Sequence, residues 1–357
     1  MRGLLLIIYI FSSVAFSKDF EISVIDSAVD FEHSLLNPHK SKYGTFDPSN
    51  NSAFTRLWDS DVENPEDWGH GTHVSGIIAS YFDPGAENTP RINNIFHIKS
   101  LEDNSLGLFE KEGETDKAYF QNISNFLEKA RPRIVNLSLG EDFLTSLISL
   151  ALAVVLEEAF VNKRIRTRAI NLKIRKLFND ALVERKSRWI DLFNKFPETL
   201  FVIAAGNEGR LLSRRKRLNL GIPVRLDKYI ERLVDGTFSF NGFDTLIADI
   251  KLDNTLTVGS WNGNTGKPRV SSFSNYGGSI VDILAVGDNV LSSVPGGFYE
   301  KKSGTSMAAP QITGLAASIL QEDLGLTTKE LKQEIFKKAQ FSMRFLRKSR
   351  FGRYFKK

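Results

Sequence analysis

Three segments of this chain carry residues whose types and spacing could do chemistry. The first is Lys302-Ser303-Gly304-Thr305-Ser306-Met307-Ala308-Ala309-Pro310. Turn residues precede Ser306, and small and apolar residues at helical spacing follow it. A serine at a helix start sits where backbone N–H groups point outward and the dipole is positive. That setting suits a nucleophile whose attack creates an oxyanion; the plain alternative is a serine N-cap. The second segment is Gly69-His70-Gly71-Thr72-His73-Val74-Ser75-Gly76. Its paired histidines could ligate zinc, but there is no HExxH arrangement and no obvious third ligand. The glycines and serine point instead to a tightly packed helix that presents His70 as a base. The third is Val24-Ile25-Asp26-Ser27-Ala28-Val29-Asp30, where Asp26 would close a buried strand. Carboxyl ends of sheet strands are where α/β proteins place their sites, although a loop-start aspartate would look the same.

Elements must bring these residues together. Phe20–Asp26 reads as a strand entering a parallel sheet, followed by strands at 94–101, 133–140, 199–209 and 254–259, with a helix over 117–130. Strands alternating with helical stretches predict a three-layer α/β/α fold with a mainly parallel central sheet. Residues 37–68 are polar and rich in turn residues and read as surface loop. Asp59, Asp61, Glu63, Glu66 and Asp67 cluster there. The spacing matches no calcium-ligand pattern, so a solvated acidic loop is expected.

Composition narrows the function classes. The chain has 357 residues, 41% hydrophobic and 25% charged, with a net charge of +5 and no cysteine. Disulfides, thiolate metal sites and cysteine nucleophiles are therefore excluded. The mild positive charge gives no reason to expect nucleic-acid binding. Residues 1–17 read as a signal peptide: Met1-Arg2, an apolar run to Phe16, and Ala15-Phe16-Ser17 before Lys18. The expectation is export, to the periplasm or outside the cell; an uncleaved anchor is the other reading. The catalytic domain is expected over 18–340, with a basic helical insertion at about 144–192 and a loop insertion at about 210–253 that contains Arg214-Arg215-Lys216-Arg217. The tail, 341–357, is basic and aromatic. A solvated, frayed terminus is the expectation for it, with contact to an anionic membrane surface or polyanion as the alternative, for the tail and for the basic helix.

In order along the chain, the aspartate, histidine and serine segments, with Ala204-Ala205-Gly206-Asn207-Glu208-Gly209 between the last two, resemble the subtilisin-like serine proteases, the subtilases. Val135-Asn136-Leu137-Ser138-Leu139-Gly140 and Ser271-Ser272-Phe273-Ser274-Asn275-Tyr276-Gly277 look like further family strands. The resemblance runs from about Glu21 to Leu320. It implies a subtilisin-like fold and an exported serine endopeptidase acting through an acyl-enzyme. Ser306 would be the nucleophile, His70 the general base and Asp26 the group that fixes its tautomer, in the chain order known for subtilisin. Asn207 would donate to the oxyanion together with the Ser306 N–H. Ser138, Leu139 and Gly140, with Ala205 and Gly206, would line the groove where a protein or peptide substrate pairs as an added strand. Glu208 matches a position near the pocket rim that would favour a basic P1 side chain.

No cofactor is expected; the common N-terminal calcium-site residues of the family are largely missing here, so no essential metal is expected there, and a monomer is expected. The mature chain would begin eight residues before Asp26, leaving no room for the family's pro-domain, so a separate folding helper is an expected partner. Ala28 stands where the family usually has glycine, Val286 where it often has proline and Gln311 where it often has histidine. A catalytically silent subtilase-fold binding protein is the alternative function. It would usually have lost a triad residue, and this chain has not.

Overall fold

The computed structural model describes residues 19–49, 51–53, 65–82, 88–96, 112–138, 183–207, 209, 247–264 and 266–357. The signal peptide, Leu139, Gly140, Glu208, the tetrabasic 214–217 segment and most of both insertions lie outside the described residues. So do Asp59, Asp61 and Glu63 of the acidic cluster. Described residues form a ten-stranded sheet. Its main strands are β1 (Phe20–Asp26), β2 (Lys40–Asp47), β4 (Pro90–Phe96), β5 (Ile134–Leu137), β6 (Leu200–Ala204), β7 (Thr255–Trp261) and β8 (Ile283–Val286). Short strands β3 (Ser52–Ala53), β11 (Gln340–Phe341) and β12 (Arg353–Tyr354) sit at the margins. The order is β11-β12-β8-β7-β6-β5-β1-β4-β2-β3, and every pair is parallel except β11–β12 and β2–β3. From β1 the chain first builds outward through β2 and β4, then returns across β1 to lay down β5 to β8. That reversal beside β1 opens a crevice at the carboxyl ends of β1 and β5.

Strand alternation separates the two faces. Ile22, Val24, Leu200, Val202, Leu256 and Val258 belong to one apolar cluster with Val74, Ile78, Met307, Ala308, Ile312 and Leu331. The last six residues come from helices α1 (Pro65–Ala79), α4 (Thr305–Glu322) and α5 (Thr328–Lys338), which therefore share one face. The opposite face is aromatic. Phe201 of β6 packs at a tilt against Phe193 at 4.4 Å, Phe193 likewise against Trp189 at 5.6 Å, and Trp189 edge-to-face against Phe120 at 5.0 Å. These rings come from helices α2 (Glu112–Ala130) and α3 (residues 183–195). The result is the expected α/β/α layering. Among the described residues no helix is long and apolar enough to cross a membrane.

Two readings change. Within the supposed loop 37–68, Lys40–Asp47 is a strand parallel to β4. Its buried positions are Ser41, Thr45 and Asp47, so polar residues occupy the inward places and the apolar alternation that marks a strand is missing. Helix α1 also starts inside that stretch, at Pro65-Glu66-Asp67. Proline at the first helical position followed by acids is a helix-start signal, and it makes part of the acidic cluster the first turn of α1. The tail is not frayed. Phe345 is buried, β12 pairs with β8, and the Trp261 indole N–H donates to the Phe355 carbonyl at 3.0 Å.

Candidate active site

Asp26 is the last residue of β1 and is 3% exposed. Its Oδ1 accepts the Ser27 N–H at 2.8 Å and faces His70 Nδ1 at 2.7 Å. A carboxylate only accepts, so Nδ1 carries the proton and neutral His70 holds its lone pair on Nε2. His70 comes from the second turn of α1 and is one-third exposed. The close fit between α1 and the loop after β1 sets this pair. A Cβ on Gly71 would lie 2.2 Å from the Ser27 carbonyl oxygen, and one on Gly76 would lie 2.1 Å from Ser293 Oγ. Glycine inside a helix costs about 1 kcal/mol relative to alanine; here it permits backbone contact. The Gly71 N–H donates to Ser27 Oγ at 2.9 Å, the Asp30 N–H to Thr72 Oγ1 at 2.9 Å, and Asn94 Nδ2 to the carbonyls of Val24 and Ser27. Loop and helix are thus bolted on both sides of Asp26. Ala28 causes no strain: it is buried and its φ is not positive.

Ser306 is the second residue of α4, and Gly304 is the N-cap. The N-cap reading of Ser306 is replaced by a cap delivered from another strand. Asn207, just past β6, accepts the Thr305 N–H at 2.8 Å and the Thr305 hydroxyl at 2.9 Å through Oδ1. With Oδ1 so held, the amide Nδ2 is the end that can reach outward, and Asn207 is exposed. A Cβ on Gly304 would lie in van der Waals contact with that amide, 3.5 Å from Nδ2.

Pro310 lies inside α4. It lacks the N–H that would bond the Ser306 carbonyl four residues earlier. Ser138 Oγ supplies the missing donor to that carbonyl at 3.1 Å, and is itself bonded by Asn136 Nδ2 at 2.9 Å. In return Ser306 Oγ donates to the Ser138 carbonyl at 3.2 Å. The end of β5 and the first turn of α4 are therefore locked together where the serine is presented. Sequence reasoning assigned Ser138 to substrate alone; Pro310 four places after Ser306 was the signal for this second role.

Ala205 turns inward. It is 1% exposed, packs with Trp261, Val281, Leu284 and Phe345, donates to the Val258 carbonyl, and accepts from Asn275 Nδ2 at 2.9 Å. The Gly206 N–H donates to Thr305 Oγ1 at 3.1 Å and its carbonyl accepts the Asn275 N–H. Both residues have their backbone groups engaged within the protein. The family-like 271–277 segment acts through Asn275, which holds both carbonyls.

Two motif features have local reasons. His73, one turn beyond His70, is fully buried; its Nε2 donates to the Glu300 carbonyl at 3.0 Å, and Nδ1 has no hydrogen-bond partner among the described residues. Burial lowers its pKa to about 4. Gln311 accepts the Tyr81 hydroxyl at 2.5 Å and donates to the Val286 carbonyl at 3.3 Å, joining two of the three positions where the sequence departs from the family. Among the described residues no group of three or more His, Asp or Glu side chains is placed to hold a metal.

Comparison with known proteins places this geometry. The chain is 24% identical over 319 residues to the thermophilic serine proteinase of Bacillus sp. (strain AK1), covering 88% of this chain and 55% of that protein. It is 33% identical over 126 residues to alkaline serine exoprotease A of Vibrio alginolyticus, covering 33% of this chain and 23% of that one. The chain thus spans about half the length of the first of these relatives, and less of the second. In structure it is similar to the A subunit of the AB5 toxin from E. coli, with a TM-score of 0.55 and 17% identity over 95% of this chain and 90% of that one. It is similar also to a cold-adapted subtilisin-like serine proteinase, with a TM-score of 0.54 and 21% identity over 95% and 88%. The profile of the peptidase S8 group, the subtilase family, matches residues 17–353. With that match over nearly its whole length, the chain belongs to the subtilase family of serine proteases.

Proposed function

We propose that this chain is an exported serine endopeptidase that hydrolyses peptide bonds through Ser306, His70 and Asp26. The observation that carries the reading is the 2.7 Å contact between His70 Nδ1 and Asp26 Oδ1, in a fold that caps the Ser306 helix with Asn207. Ser306 Oγ leaves its contact with the Ser138 carbonyl and attacks the substrate carbonyl carbon as its proton passes to His70 Nε2. The imidazolium so formed is stabilised by Asp26, which donates no proton. Charge on the substrate oxygen is met by Asn207 Nδ2 and the Ser306 N–H. The carbonyl re-forms, the C–N bond breaks, and His70 returns its proton to the leaving amine. Water then repeats the cycle on the acyl-enzyme. Substrate would pair along the 138–140 segment, with half-buried Gly206 beside it and Ala205 supporting that wall from within. Export rests on the apolar run before Ser17, and endopeptidase specificity on the family resemblance.

The test is labelling of the purified protein with a fluorophosphonate, beside Ser306→Ala. Labelling that disappears in the variant supports the reading. Folded wild-type protein that neither labels nor cleaves a peptide library would establish the silent binding protein instead.

A further inference from the structure

The 341–357 segment divides its apolar residues between two sides. Phe345, Tyr354 and Phe355 anchor it: Phe345 packs on Trp261 at 6.2 Å and on Tyr354 at 5.4 Å, and the Phe355 N–H donates to the Leu284 carbonyl at 2.7 Å. Phe341, Met343, Leu346 and Phe351 point out, with exposures of 58%, 72%, 46% and 63%. They are neighbours. A Cβ built on buried Gly352 would lie 3.1 Å from the Phe341 ring and 3.2 Å from the Leu346 Cα. Phe351 holds its outward place at a φ of +59°, where a bulky side chain is strained. The Arg350 N–H bond to the Val281 carbonyl at 2.7 Å, the Gly352 N–H bond to the Ser349 carbonyl and the Ser342 N–H bond to the Gly352 carbonyl fix that loop. The apolar face is therefore presented rigidly.

Positive charge surrounds it. Residues 342–357 contain Arg344, Arg347, Lys348, Arg350, Arg353, Lys356 and Lys357 and no acid. The guanidinium groups of Arg350 and Arg353 lie 5.7 and 5.5 Å from the Phe351 ring. Asp282 of the neighbouring β8 loop reaches Arg350 at 3.7 Å, but it also pairs with Lys251 at 2.8 Å. Arg344 and Arg347 are exposed beside Met343 and Leu346.

We propose that the face of Phe341, Met343, Leu346 and Phe351, ringed by Arg344, Arg347 and Arg350, docks on an anionic phospholipid surface. Apolar side chains entering the headgroup boundary and arginines meeting lipid phosphates are the two signals that together hold a protein on a bilayer. A polynucleotide would match the charge and could stack on the two phenyl rings. It would leave Met343 and Leu346 without a partner, because they have no π face.

The test is co-sedimentation of the full chain with vesicles of phosphatidylcholine alone or doped with phosphatidylglycerol, at low and high salt. Binding is expected to anionic vesicles and to weaken with salt. Arg344→Gln and Arg347→Gln should each lower partitioning about fivefold. Met343→Ser with Phe351→Asn should lower it about tenfold or more. Asparagine accepts a positive φ, so this pair should keep the melting temperature and the fluorophosphonate labelling of the wild type, which separates lost docking from lost fold. The proposal is overturned if the Met343/Phe351 variant binds like wild type, which would leave charge adsorption alone. It is overturned equally if a single-stranded oligonucleotide competes better than vesicles, or if the face proves to hold a second copy of the chain in sedimentation velocity.

Discussion

His73 should make the stability of this protein acid-sensitive in a defined window. Its ring is fully buried, Nε2 is committed to the Glu300 carbonyl, and Nδ1 has no hydrogen-bond partner among the described residues. Desolvation is the largest cause that depresses its pKa to about 4, and Lys302 and His70 add repulsion. In the unfolded chain the same histidine titrates near about 6.5. Between those values the unfolded state binds the extra proton, so acid favours unfolding. The stabilisation is whole above about pH 6.5, falls as the pH drops, and is gone near pH 4. A difference of about 2.5 units at about 1.4 kcal/mol each is about 3 kcal/mol, a large share of an ordinary folding free energy of about 5–15 kcal/mol. The assay is urea unfolding from pH 7.5 to 4 for wild type and His73→Gln, whose amide can still donate to Glu300. Half-buried Glu21, whose pKa is raised mainly by desolvation, works in the opposite direction, and comparing the two proteins cancels it. The wild type should lose about 3 kcal/mol more than the variant over this range. Parallel pH profiles would refute the account of His73 as a neutral buried wedge between α1 and strand β10 (Phe298–Lys302).

Other expectations follow from the same contacts. Gly71→Ala drives a methyl into the Ser27 carbonyl; overpacking costs about 1–3 kcal/mol, and displacement of His70 should lower kcat at least tenfold more than it changes KM. Asn207→Ala should lower kcat about 10²–10³-fold, the loss known for the corresponding donor in subtilisin. It should also lower stability, because Thr305 loses its cap; Asn207→Asp, which keeps the cap oxygen, should recover stability and not kcat. Tyr81→Phe leaves Gln311 Oε1 without its hydroxyl donor and should cost about 1–3 kcal/mol in denaturant unfolding, with kcat/KM unchanged.

The family and the layered fold were legible in the sequence. Asp26, His70, Asn207 and Ser306 sit in segments whose small residues, strand ends and helix start are local features. The alternation of apolar strands with helices is enough to call for a parallel sheet. What it could not decide are matters of side and partner. Lys40–Asp47 buries Ser41, Thr45 and Asp47, so its strand character lies in pairing with β4 rather than in a hydrophobic pattern. The tail reads as solvated because its aromatics keep no period. Only the tertiary packing selects Phe345 for the pocket around Trp261 and Phe355 for the main core, and leaves Phe351 outside. Ser138 and Asn207 show the same division at the site. Each has an evident side-chain chemistry, yet its bond to Ser306 or Thr305 depends on β5 and β6 ending beside α4. Contacts between residues 98 and 168 positions apart in the chain are set by the strand order, which no local segment encodes.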